Sequence, residues 1–102
     1  MIALLLMALP AAADTIRAGV LRVDDTGLPP VSRLDLPPAD LGFAGARLAT
    51  EDNATTGRFM GQTFETAEAT ATPETALAEA EAMIADGLPF IVTLADDATT
   101  LA

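Results

Sequence analysis

Two pairs of adjacent acids, Asp24-Asp25 and Asp96-Asp97, and the tripeptide Asp25-Thr26-Gly27 are the residues of this chain whose types and spacing could do chemistry. Asp-Thr-Gly after an apolar strand matches the aspartic-protease tripeptide, where two aspartates from a dimer share one proton and activate water. That chemistry requires an almost all-β frame and a second apolar strand ending in Gly. Here Ile91-Val92-Thr93-Leu94 runs into Ala95-Asp96 instead. The competing expectation is a turn at a strand end, which Asp, Thr and Gly favour on conformational grounds. The acid pairs supply hard oxygen donors, yet a Ca²⁺ loop needs six or more oxygens in a defined array, and no D-x-D-x-D-G loop exists here. The expected role of these acids is therefore solvated loop positions and helix caps, with no metal and no cofactor. Asn53-Ala54-Thr55 is a formal glycosylation sequon, but its expected place at a helix end makes it an accident of composition. Arg22 and Arg47 are open to anionic ligands or to Glu51, with surface pairing the expectation, and Phe43 and Phe59 are expected to pack rather than to serve as stacking platforms.

Composition narrows the function classes. The 102 residues include no Cys and no His, so disulfides, thiolate metal sites and the commonest general base are excluded. Five Arg and no Lys face fifteen acids, for a net charge of −10. That balance opposes nucleic acid and anionic membrane surfaces. Hydrophobic residues make up 51% of the chain, but much of this is alanine and only four residues are aromatic, so the core is built from small side chains.

The elements that must position the acids follow from patterning. Residues 16–23 read as a strand bounded by Asp24-Asp25-Thr26-Gly27. Residues 24–38 hold Pro29, Pro30, Pro37 and Pro38 and show no period, which predicts a long irregular loop of the functional or flexible kind. Residues 41–61 predict a helix with Leu41, Ala44, Gly45, Leu48 and Asp52 on its inner face and Phe43, Arg47 and Thr50 off it. Gly45 is expected to allow close approach to a sheet, and Asn53 and Gly57 to stop the helix. Residues 62–70 read as a polar edge strand. Thr72 and Pro73 start a second helix whose stripe is Ala76, Leu77, Ala80, Met83 and Ile84, ended by Gly87. Residues 88–94 read as an apolar strand covered on both faces, and residues 96–102 as the start of a third helix. The fold class is thus α/β, a β-α-β-α-β unit with a three-stranded parallel sheet. At the N-terminus, residues 1–13 (MIALLLMALPAAA) have the apolar run and small-residue end of a secretory signal peptide, too short to span a bilayer. A mature chain from Asp14 would be exported and not membrane-embedded.

Gly45-Ala46-Arg47-Leu48-Ala49-Thr50-Glu51-Asp52-Asn53, followed by Gly57 and Gly61, resembles the first-helix run of type I periplasmic substrate-binding proteins, the branched-chain amino acid receptor family of ABC importers. Leu21-Arg22-Val23 before a Pro-rich loop, and Glu51-Asp52-Asn53 before Thr55-Thr56-Gly57-Arg58-Phe59, look like the subgroup associated with PQQ-dependent alcohol oxidation. The resemblance implies a sheet order of 2-1-3 with residues 16–23 central. It implies that residues 14–102 form a truncated N-terminal lobe of a protein that performs no chemistry. Its expected setting is the periplasm, where such a protein closes on a small-molecule ligand and delivers it to an ABC permease in the inner membrane. Ligand contacts in that family come from loops at the carboxyl ends of strands, which points to Asp24, Asp25, Thr99 and Thr100. The family's Gly-Pro-x-x-Ser stretch is replaced here by Ala95-Asp96-Asp97-Ala98-Thr99-Thr100, whose carboxylates oppose an amino acid's carboxylate. An early end to the lobe also predicts an unpaired, apolar, association-prone edge at residues 90–94. Two other classes stand beside this reading: the aspartic-protease-like enzyme and a secreted, non-enzymatic interaction module with the same core.

Overall fold

The computed structural model describes residues 14–25 and 27–102; residues 1–13, read above as a signal peptide, and Thr26 lie outside them. Three strands, β1 (Asp14–Val23), β2 (Gln62–Ala71) and β3 (Ile91–Leu94), form one sheet in the order β2-β1-β3, and both pairings are parallel. Helix α1 (Phe43–Met60) connects β1 to β2, α2 (Ala76–Ala85) connects β2 to β3, and α3 (Asp97–Leu101) follows β3. The α/β class, the parallel direction and the 2-1-3 order are therefore as expected.

Strand alternation decides which helix covers which face. Ile16, Ala18 and Val20 of β1 look towards α1, and Leu21 and Val23 look towards α2. The core proper lies on the α2 side, where Leu21, Ala71, Ala76, Met83 and Leu88 are buried together. On the α1 side, Val20 and Phe43 are buried. Among the described residues, no helix is long and apolar enough to cross a membrane.

Helix α1 departs from its predicted face and end. Its inner positions are Phe43, Thr50 and Gly57, while Leu41 and Leu48 remain 46% and 59% exposed. Thr50 Oγ1 meets Thr66 Oγ1 of β2 at 2.5 Å, and Arg47 forms a two-pronged ion pair with Glu68 of β2. The leucines suggested one phase of the helix, whereas cross-element polar pairs fix another. Close approach is made by Gly57, since a Cβ there would lie 2.7 Å from the Gln62 carbonyl oxygen; at Gly45 nothing comes within 4 Å. Asn53 and Gly57 are both mid-helix, and the stop is Gly61, whose φ of 67° is the left-handed conformation that glycine adopts without penalty.

Helix α2 starts three residues later than expected. Thr72 and Thr75 bond to each other across a tight turn that holds Pro73 and Glu74, and Ala76 is the first helical residue. Ala76 and Met83 are buried as predicted, but Leu77 and Ile84 lie on a flank, 63% exposed. The Leu88 amide donates back to the Met83 carbonyl at 3.2 Å around Gly87, and both of those side chains are buried. Because Leu88 serves this cap and Pro89 has no amide, β3 begins only at Ile91. It is not covered on both faces: Val92 is 57% exposed and Phe90, just before the strand, 65%.

Candidate functional site

At the carboxyl ends of β1 and β3 the chain encloses an open cleft of about 530 Å³, walled by Asp24 and Asp25 on one side, Leu94 and Asp96 on the other, and Pro37-Pro38 above. The cleft sits where the connections diverge, since the chain leaves β1 towards α1 on one face and leaves β3 towards α3. Such a divergence leaves a crevice between the strand ends.

Arg22 builds its floor. The guanidinium donates from Nε and Nη2 to the Asp24 carboxylate at 2.7 and 3.3 Å, and from Nη1 to the Ala39 and Leu41 carbonyls at 2.9 and 3.2 Å. It also lies 4.9 Å from the centre of the Phe43 ring. The planar fork thus joins the first residue of the 24–38 loop to the residues that follow it, a task that a lysine's single ammonium cannot perform. Asp24 is therefore spoken for, and its amide continues the ladder by donating to the Ala71 carbonyl at 2.9 Å. Asp25 accepts from the Gly27 amide at 3.0 Å, an Asx turn at the end of a parallel strand and not the all-β setting that proteolysis requires.

Thr99 and Thr100 line a neighbouring groove of about 180 Å³ beneath α2, not the main cleft. A recess of about 60 Å³ does bring Thr99 together with Asp25 and Asp96. Asp96 caps α3, accepting from the Thr99 amide at 2.7 Å, and its backbone carbonyl accepts from the Thr100 hydroxyl at 2.9 Å. The Thr99 hydroxyl and then its amide hold the Asp96 carboxyl below the usual aspartate value. Of the expected contact residues, Asp24 and Asp25 therefore face the main cleft, and Thr99 reaches only its margin.

Asp96, Leu94 and the Pro37-Pro38-Ala39 wall were not singled out as contacts in the sequence. Position at a strand end signals the first two. Nothing local signals the loop wall, because its path depends on the Arg22 clamp.

Three carboxylates against one guanidinium leave the cleft with an excess of negative charge. It therefore suits a neutral polar or cationic small molecule better than a carboxylate. Among the described residues no group of three acids converges to hold a metal ion, and the carboxylates of Asp24, Asp25 and Asp96 serve as clamp, turn and cap. No family model matches the chain, and no curated protein or solved structure matches it.

Proposed function

We propose that this chain is part of the ligand-binding lobe of a periplasmic solute-binding protein, the ligand-recognition component of an ABC transport system, serving PQQ-dependent alcohol oxidation. The observation that carries the reading is the open cleft at the divergence of β1 and β3, in a parallel sheet of order β2-β1-β3. Loops at that point bind small molecules without covalent chemistry, and a second lobe closing over the cleft completes the enclosure. Export by residues 1–13 places the protein in the periplasm, and the permease in the inner membrane receives the ligand. Aspartates at the cleft mouth select neutral or cationic solutes by repelling carboxylates.

The test is a calorimetric titration of the full chain with small alcohols, primary amines and the corresponding carboxylic acids. Heats from alcohols or amines that fall at least about tenfold in affinity in D25N, with no response to the acids, support the reading. Binding of the acids alone overturns the selectivity, and no binding by any of the three overturns the assignment of the cleft. The interaction-module reading draws on one observation of its own: Leu28, Val31 and Leu34 project from the 24–38 loop with at least 95% of their surface exposed.

A further inference from the structure

Among the described residues, the central strand β1 meets β2 first at Asp14, opposite Gln62. The β2 side begins there for a structural reason. Gly61, just before it, has a φ of 67° and caps α1, its amide donating to the Gly57 carbonyl. A left-handed residue closing a helix cannot extend a strand, so β2 offers β1 no position before Gln62. The first hydrogen bond of the pairing runs from the Asp14 nitrogen to the Gly61 carbonyl at 3.1 Å. That carbonyl stands at the C-terminal end of an 18-residue helix, where the last carbonyls lack partners within the helix and the peptide dipoles sum to partial negative charge. In the sequence, Asp14 follows Ala11-Ala12-Ala13, small side chains behind an apolar run, which is the pattern of a cleavage site. The first residue that the sheet uses and the first residue after the cleavage pattern are thus the same.

We infer that the chain is cut by hydrolysis between Ala13 and Asp14, and that the α-ammonium so formed caps the C-terminal end of α1 through the Gly61 carbonyl. This rests on the export reading above, and adds to it the bond that is cut and the use the fold makes of the new terminus. Water adds across the amide. Its oxygen turns the Ala13 carbonyl into a carboxylate, and its two protons turn the Asp14 N–H into an ammonium. The reaction calls for a peptidase with pockets for small side chains at the first and third positions before the cut, here Ala13 and Ala11. A peptidase takes its substrate as a free extended chain, whereas residues 14–23 lie in the central strand with the Asp14 nitrogen engaged. The cut therefore precedes closure of the sheet. In the uncut chain the donor to Gly61 is a neutral amide. In the cut chain it is a cation at the negative end of a helix, and such charge-assisted bonds are roughly twice as strong as neutral ones. Processing thus tightens the joint between β1 and α1, and it does so whatever the cleft binds.

The chain has no lysine, so its terminal amine is its sole primary amine and amine-reactive labelling reads that group alone. The test expresses the full chain in a bacterium, sequences the periplasmic product from its N-terminus and treats it with an acetylating N-hydroxysuccinimide ester. The expected product begins Asp14-Thr15-Ile16-Arg17, and A13F, with a large side chain at the cut, stays whole. Labelling is expected to be about tenfold slower in buffer than in concentrated urea, because the charge-assisted bond to Gly61 holds the amine protonated. Asp14 is exposed, so simple shielding does not give that difference. The acetylated product, having lost the charge, is expected to unfold at a lower urea concentration than the unlabelled one. A periplasmic product that begins at any other residue overturns the inference and leaves the export reading standing. A chain kept inside the cell with Met1 in place overturns both. Equal labelling rates in buffer and urea, or acetylation with no effect on unfolding, overturn the capping by the new terminus.

Discussion

Gly57 has a backbone oxygen where a side chain would go. The Gln62 carbonyl and the Phe64 ring both lie 2.7 Å from where its Cβ would sit, and the carbonyl belongs to the strand that α1 packs on, so neither helix nor strand can yield freely. G57A is expected to destabilise by about 1–3 kcal/mol through overpacking. G45A, twelve residues earlier on an open surface, should stabilise by about 0.5–1 kcal/mol through helix propensity. Urea denaturation of the pair separates the two effects, and equal shifts would contradict the observed phase of α1. The sequence alone favoured Gly45 for close approach because it shares a helical face with Leu41 and Leu48, two turns apart. Gly57 resembled a terminator because nothing in its neighbours reveals that Gln62 and Phe64 lie beneath it. Arg22 is the other residue on which much rests. With four hydrogen bonds and a ring below it, R22M should lose roughly 2 kcal/mol and open residues 24–38 to limited proteolysis.

At the scale of elements, α1 is held on β2 by the Arg47–Glu68 ion pair, with a closest approach of 2.6 Å, and α3 is held at its start by Asp96. The Arg47 hydrogen bond keeps Glu68 below the usual glutamate value, as the Thr99 bonds do for Asp96. Both groups thus bind protons less readily when folded than when unfolded. Their contribution is complete above the ordinary carboxylate range and is lost as pH falls through and below it. Melting temperature should therefore fall between about pH 6 and pH 3, with a shallower slope in E68Q, whose amide does not titrate. Element order was readable from periods of 2 and 3.6, and from Gly87 as a stop. Boundaries were less readable where one residue served two elements. Leu88 looks like strand by apolarity, but its burial against Met83 and its amide belong to the cap of α2.

On the scale of the whole molecule, the sheet has, among the described residues, one strand paired on both sides, β1, and two edges of opposite character. The β2 edge is polar, with Thr63, Glu65 and Thr70 exposed, and the β3 edge is charge-free. The topology and the strand-end location of the cleft were legible because alternating elements in a parallel sheet leave few arrangements. The loop that roofs the cleft was not, having no period to read. That loop is gathered at its base by a single guanidinium, which grips the chain on the way out at Asp24 and on the way back at Ala39 and Leu41. Residues added or removed between those anchor points leave both of them in place, and each doubling of loop length adds only about 0.6 kcal/mol in closure entropy. The roof of the cleft is consequently the part of this molecule that can be rewritten at least expense to the rest, a cassette whose hasp is Arg22.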